Sequence, residues 1–322
     1  MTTLRTGLIG SLAIFFSMVL NLGICAAQEY PSKPIRFIVP YGAGGAADIS
    51  TRVIAPRLAA AFGQHVIVDN RPGGGTIIAS TLLAKAVGDG YTLMNANVTF
   101  SANPALHSKL PYDSIKDFVP ITLIDLMPNV LLVHPSIAAT SISELIALVK
   151  AKPGKLNYAS AGIGSANHLN MELLKSVTGI NVVNIPYQGG AQAMTSIVGG
   201  ETQLLFVTVP PALPHIRSGR VRVLAATSTK RIATLPEVPT ISEAFLPGFD
   251  FHEWHGVLAP AGIPKEVVSR LNREINKILM VTEVRERLSS IGAEATGSTP
   301  EQMAQHVQSE VRKWKKVVKP VD

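Results

Sequence analysis

The feature that most constrains this chain is the order of its local patterns. Strand-like and helix-like segments alternate almost from one end to the other. Ile35-Arg36-Phe37-Ile38-Val39 is a short β-favouring run with no turn residue inside it. Ala46 to Phe62 has helical spacing, and His65-Val66-Ile67-Val68 is the next strand. A helix over Thr76 to Val87 and a strand over Tyr91 to Met94 continue the series. Val119 to Ile124 and Val130 to Val133 follow as two strands with no clear helix between them. Ile142 to Lys150 is helical by Leu145, Leu148 and Val149, and stops at Lys152-Pro153-Gly154. Asn157 to Ala159, Val182 to Ile185, Leu204 to Val207 and Val221 to Ala225 are strands separated by helical segments. Short strands joined through helices make βαβ units, so the expected class is α/β with mostly parallel sheets.

The end of the chain has a different rhythm. Pro236-Glu237-Val238-Pro239-Thr240 is a rigid connector, and Phe249 to Leu258 is an extended strand. Pro264 to Met280 is an amphipathic helix with Val267, Leu271, Ile275, Ile278 and Leu279 on its apolar side. Ser298-Thr299-Pro300-Glu301 is a helix start with Pro in the first turn, and that helix runs to about Val318. No repeat or flexible linker interrupts the pattern. At this length two lobes are expected, with the chain crossing between them inside secondary structure near Leu126 to Val130 and Thr227 to Leu235. The expected division is 28–127 plus 236–322 for one lobe and 128–235 for the other.

The first residues predict export. Arg5 is the only charged residue before Glu29, and an apolar run from Leu8 to Leu20 leads to Ile24-Cys25-Ala26-Ala27-Gln28. That describes a signal peptide over 1–27, cleaved near Ala27, and a periplasmic location. The run is short for a membrane anchor, and no basic stop-transfer cluster follows it. Cys25 is the only cysteine, so the alternative is lipidation there, which the bulky Ile24 disfavours. A mature chain without Cys has no disulfide, no Cys-ligated metal and no thiol nucleophile. The formal charge of +7 suits an anionic ligand by long-range steering. It does not point to nucleic acid. The basic residues are scattered, and the one cluster, Lys313-Trp314-Lys315-Lys316, closes a helix whose dipole it complements.

The chemistry-bearing features are turns. Pro40-Tyr41-Gly42-Ala43-Gly44-Gly45-Ala46 follows a strand and opens a helix. Glycines let the backbone approach a ligand, and a helix start presents free N–H groups with partial positive charge, so the turn is an anion cradle. Similar turns recur at Asn70 to Thr76, at Ser160-Ala161-Gly162-Ile163-Gly164-Ser165-Ala166-Asn167-His168, and at Tyr187-Gln188-Gly189-Gly190-Ala191. Any one alone reads more readily as a tight βα turn. Several, all at strand C-terminal ends, point to a ligand site. Asp48 in the first helical turn is expected to complement the dipole and face away from an anion. His168 is read either as a carboxylate donor or as an ordering contact at its helix start.

Gly42-Ala43-Gly44-Gly45-Ala46-Ala47 also satisfies G-x-G-x-x-A, with Asp69 closing the next strand. The rival reading is therefore a nicotinamide-dependent oxidoreductase. Export, the lengthening of the turn by Pro40 and Tyr41, and the lack of a catalytic acid–base pair count against it. No cofactor and no catalytic residue is expected. In His252-Glu253-Trp254-His255 the two histidines would leave a strand on opposite faces, which is unsuitable for a metal.

Read as a whole, the chain resembles the Bug family, the extracytoplasmic receptors of tripartite tricarboxylate transporters. Tyr30-Pro31-Ser32-Lys33-Pro34-Ile35-Arg36, Pro40 to Gly45 with Asp48, Asn70-Arg71-Pro72-Gly73 and Asn157-Tyr158-Ala159-Ser160 carry the resemblance. So do Gly164-Ser165, His168-Leu169, Pro186-Tyr187-Gln188-Gly189, Ala212 to Ile216, Pro236 to Thr240, and Gly256 through Pro264 after Trp254. The resemblance implies a Venus-flytrap, type II-like periplasmic binding protein of two Rossmann-like lobes. It implies a small carboxylate as ligand, the transporter's membrane subunits as partner, and a monomer. The implied contacts are Tyr41, Gly42, Ala43, Gly44, Gly45 and Ala46 in the first turn. Asn97 and Ser101 are implied in a loop after the third strand. The opposite lobe is implied to give Gly164, Ser165, Asn167, His168, Tyr187, Gly189, Gly190 and Ala191, with Val207 and Thr208 at a strand end. Relatives commonly carry Asp where this chain has Val207, which favours a plain or aromatic carboxylate over an amino acid. A receptor that presents its ligand to a sensor protein is a third reading.

Overall fold

The computed structural model describes residues 30–321, so the expected signal segment and Cys25 lie outside the described residues. The chain starts with β1 (Ile35–Val39), α1 (Ala46–Phe62), β2 (Val66–Asn70), a single 3-10 turn at Gly74–Thr76, α2 (Ile77–Ala84) and β3 (Thr92–Asn97). Next come α3 (Val98–Leu106), β4 (Phe118–Val133), α4 (Ile142–Ala151), β5 (Asn157–Ser160), α5 (Ala166–Thr178), β6 (Val183–Pro186) and α6 (Gly190–Val198). Then follow β7 (Leu204–Thr208), α7 (Val209–Arg217), β8 (Arg222–Ala226), the one-turn α8 (Ile241–Ala244) and β9 (His252–Pro260). The chain closes with α9 (Lys265–Leu279), α10 (Thr282–Ser289), β10 (Glu294–Ala295) and α11 (Pro300–Val317).

The strands join in the order β2-β1-β3-β9-β4-β7-β5-β6, with β8 and β10 also on β4. The βαβ units give the flanks: β1 pairs in parallel with β2 and β3, and β5 in parallel with β6 and β7. The centre is antiparallel, where β9 and β4 pair with each other and β4 meets β7 and β8. The molecule is a mixed α/β fold. We call β1, β2, β3, β9 and β10 with their helices the first half, and β5 to β8 with theirs the second.

Two expectations need correction here. The separate strands over 119–124 and 130–133 are one strand, β4, of 16 residues. Its middle, Asp125 to Asn129, reads as a gap because it is polar and holds Pro128. Pro128 lacks only an N–H, and its neighbours keep register, with Met127 opposite Glu253 and Asn129 opposite Thr208. The loop expected after the third strand is a helix, α3. Asn97 ends β3 and caps α3 by accepting the Phe100 N–H at 3.3 Å. Ser101 lies inside α3, fully buried, with its hydroxyl donating to the Val98 carbonyl at 2.7 Å.

Strand alternation sends side chains to two cores. Ile35 and Phe37 pack with Ile54 and Leu58 of α1 and with Leu271 and Ile275 of α9, the stripe read from the sequence. Ile38 points the other way, with Leu83, Met94 and Phe100. A third cluster under α6 and α7 holds Val130, Leu132, Leu205 and Val207. The start of α11 is as expected, with Pro300 in its first turn and a full capping box. Thr299 Oγ1 accepts the Gln302 N–H at 3.2 Å, and Gln302 Oε1 accepts the Thr299 N–H at 2.9 Å. Met303 and Trp314 anchor α11 in the core, both fully buried. Thr299→Ala should therefore lower stability by only about 1 kcal/mol and leave the helix in place. Urea unfolding followed by circular dichroism checks this.

Candidate functional site

The turns after β1, β5, β6 and β7 each lead into a helix, so their backbone N–H groups stand at strand C-terminal ends. In the first turn Gly42, Ala43, Gly44 and Gly45 are exposed. Tyr41 anchors it: its phenol donates to Thr99 Oγ1 at 3.0 Å and accepts from Asn97 Nδ2 at 2.7 Å. Burial, the largest influence, raises the Tyr41 pKa, so the phenol keeps its proton. Asp48 does more than complement a dipole. It is buried, and its carboxylate accepts the Gly44 N–H at 2.9 Å, Arg52 Nε at 2.9 Å and Asn70 Nδ2 at 2.9 Å. Burial pulls its pKa up most, but the bonds from Arg52, Gly44 and Asn70 together carry it below the usual value. Gly44 takes φ +85°, a conformation that suits glycine, and its N–H is spent on Asp48. The start of α1 at Gly45 receives no side-chain cap.

The turn into α5 is braced internally. Ser165 caps α5, accepting from the His168 N–H at 3.4 Å, and its hydroxyl donates to the Gly162 carbonyl at 2.6 Å. The Gly164 N–H donates to His168 Nδ1 at 3.3 Å, and Asn167 Nδ2 donates to the Phe206 carbonyl. All three side chains thus make bonds within the fold, His168 through Nδ1. At the turn into α6, Gly189 has φ +115° and α6 starts with no side-chain cap. Gly190 and Ala191 are exposed, and the Tyr187 N–H ties the turn to Ser160 O at 2.9 Å. Thr208 is the N-cap residue of α7, again without a side-chain cap bond. Val207 is 6% exposed and belongs to the third core cluster, so its side chain is packed and not free.

The turns of the two halves meet on α3. A Cβ added at Gly164 would stand 2.9 Å from Leu106 Cδ1 and 3.7 Å from Thr99 Cγ2. A Cβ at Gly75 would stand 4.0 Å from the same Thr99 methyl. Thr99 also receives the Tyr41 phenol, so one threonine touches turns from both sides. Sequence reasoning missed Thr99. Its one signal was Asn97, a good helix cap, which would have placed Thr99 in a first helical turn.

Beneath α1, Asp125 accepts the Ser50 hydroxyl at 2.5 Å and faces His255 Nδ1 at 2.8 Å, all three fully buried. Ser50 Oγ also lies 3.5 Å from His255 Nδ1, but the hydroxyl is donated to the carboxylate and all three groups are shut inside the core, out of reach of a substrate, so the trio is structural. His252 pairs with Asp250, apart from His255. Among the described residues no group of three His, Cys, Asp or Glu is placed to hold a metal. No described helix is long and apolar enough to cross a membrane. A cavity of about 1010 Å³ lies away from the glycine turns, between the first turn of α7 and the α10–β10 segment. Its lining mixes Lys230, Arg231 and Arg285 with Glu286 and Glu294, which selects for neither charge. The converging turns, not this cavity, carry the candidate site.

An α/β molecule in which glycine turns from both halves converge on one helix has the architecture of a periplasmic solute-binding protein. Rpa4515 of R. palustris, solved with adipate, superposes with a TM-score of 0.80 at 35% identity, covering 90% of this chain and 97% of that one. MatC from Rhodopseudomonas palustris, with bound malate, gives 0.77 at 33% identity, covering 89% and 99%. Protein BugT of Bordetella pertussis is 36% identical over 313 residues, 96% of each chain. Residues 50–322 match the tripartite tricarboxylate transporter family receptor, TctC, and the chain belongs to that family. It is a solute-binding receptor, not an oxidoreductase, so the G-x-G-x-x-A turn is not a dinucleotide fingerprint here.

Proposed function

We propose that this receptor captures a small carboxylate in a cleft between two lobes, 28–127 plus 236–322 and 128–235, and delivers it to the membrane subunits of a tripartite transporter. The observation that carries this reading is the pair of helix starts at Gly45 and Gly189, both without side-chain caps and both opening from exposed glycine turns. Uncapped helix N–H groups are orphan donors that an anion satisfies. Export by a cleaved signal segment and action as a monomer complete the reading. Gly42, Ala43, Gly45 and Ala46, with Gly189 to Ala191, give amides, while the Gly44 amide stays on Asp48 and Ser165, Asn167 and His168 hold their turn in shape. The packed Val207 side chain offers no partner for a ligand amine, which favours plain or aromatic carboxylates over amino acids. Adipate and malate in the two relatives support the ligand class.

Thermal shift with adipate, malate, benzoate and aspartate tests this. A carboxylate at about 100 times its Kd contributes about 2.7 kcal/mol and raises the Tm by several degrees. Stabilisation by aspartate alone would remove the preference against amino acids. Stabilisation by none of the four, with a response to a nicotinamide cofactor instead, would overturn the reading.

A further inference from the structure

The turn into α5 uses an unusual acceptor. In a capping box the third helical residue is Glu or Gln, whose side chain returns to the backbone N–H of the cap. Here the cap is Ser165 and the third residue is His168. Its ring reaches one residue further back, and Nδ1 accepts the Gly164 N–H at 3.3 Å. A backbone amide only donates, so Nδ1 must present a lone pair. The imidazole is therefore neutral, with its proton on Nε2.

We propose that His168 is a positioning residue of the solute site, holding the Gly164 amide and the 162–165 turn in place only while its imidazole is neutral, so that capture weakens in acid. This rests on the turn being part of the site proposed above. Protonation would set a ring N–H against a backbone N–H, two donors with no acceptor between them. The ring is 8% exposed, so water does not readily relieve the clash. Gly164 has no slack either: it holds φ +78° and lies against Leu106 and Thr99 of α3. A shift there passes straight to the contact between the two halves.

The groups acting on His168 are few. Glu172 and Lys175 lie on its own helix, and the Tyr158 ring of β5 stands 6.5 Å away. Glu172 is already engaged by the Tyr158 phenol at 3.0 Å and by Lys175 at 2.6 Å. Burial is the largest influence on His168 and lowers its pKa, Glu172 raises it and Lys175 lowers it, for a net fall from 6.5. The unfolded histidine then takes its proton first. The stability that the neutral ring contributes is full above 6.5 and declines below it, while in the folded protein the turn stays ordered until pH reaches the lowered folded value.

Two measurements test this. Long-range 15N spectra of the ligand-free protein should show the Nε2–H tautomer, with the Gly164 amide shift following the His168 titration. Calorimetry with adipate and malate on the alkaline and acid sides of that titration should show wild-type affinity falling roughly tenfold more than that of His168→Gln, about the value of one hydrogen bond. The Gln amide oxygen is an acceptor that does not titrate, and the comparison cancels the ligand's own protonation. His168→Leu should be weak at both pH values. An Nδ1–H tautomer, or His168→Gln losing affinity in parallel with wild type, overturns the proposal. If neither acid binds at any pH, the carboxylate reading fails, while the tautomer and the Gly164 shift still decide the role of His168.

Discussion

Replacing Asp125 with alanine should cost about 3–5 kcal/mol of folding stability, read as a lower urea midpoint with an unchanged slope. Asp125 ties three elements: Ser50 on α1, His255 on β9 and its own strand β4. All three side chains are fully buried. Alanine leaves a hydroxyl and an imidazole inside the core without their acceptor, and it is this unpaired remainder, more than the lost attraction, that destabilises. The pH dependence carries a second signature. Burial is the largest influence on His255 and pulls its pKa down, yet the charge and hydrogen bond of Asp125, with the charge of Glu253, carry it above its usual value. A raised histidine pKa contributes stability at acid to neutral pH and loses it as pH rises through the folded value. The gap between wild type and Asp125→Ala should thus be widest on the acid side of 6.5 and narrow as pH rises through the raised folded value. A loss below about 1 kcal/mol, the scale of an exposed pair, would show that the trio is not closed from water as described.

Gly164→Val should leave the protein folded but weaken capture of its carboxylate by about two orders of magnitude, or nearly 3 kcal/mol. Two costs add. Gly164 sits at φ +78°, where a side chain costs roughly 1–2 kcal/mol and a β-branched one more. A Cβ there also stands 2.9 Å from Leu106 Cδ1, closer than carbon atoms approach. The strain falls where the two halves touch, so it penalises the conformer in which the turns converge. Gly63, also at positive φ but at the C-terminal end of α1 with nothing within 4 Å of an added Cβ, is the control. Gly63→Ala should lower stability slightly and leave affinity unchanged. Equal affinity losses at both positions would mean that Gly164 is simply a strained turn.

Much of this was legible in the sequence because it is local. The strand runs, the stripe of α9 and the Thr299-Pro300 start of α11 follow from period and capping. What was not legible depends on partners far along the chain. Asp125 and Pro128 look like a break until β9 supplies the register that keeps β4 extended. Ser101 looks like loop chemistry until the Asn97 cap makes α3, after which its hydroxyl turns back to its own helix. In the candidate site, the glycine turns were legible as turns because glycine is rarely dense without a backbone reason. Thr99 was not, since the Asn97 cap marks only a first helical turn and not a threonine that receives the Tyr41 phenol. Ser165, Asn167 and His168 were legible only as polar residues at a helix start. In the fold Ser165 and His168 bind their own turn and Asn167 reaches the Phe206 carbonyl of β7, a partner that no local pattern announces.

The unbroken passage of β4 from one half to the other has a consequence for how such a molecule can be divided. Its early residues pair with β9 and β10, its later ones with β7 and β8. The halves are therefore not interchangeable modules. Any scission along that ribbon deprives each fragment of a rung its sheet needs, so grafting one half onto a foreign mate requires carrying the whole spine across the junction.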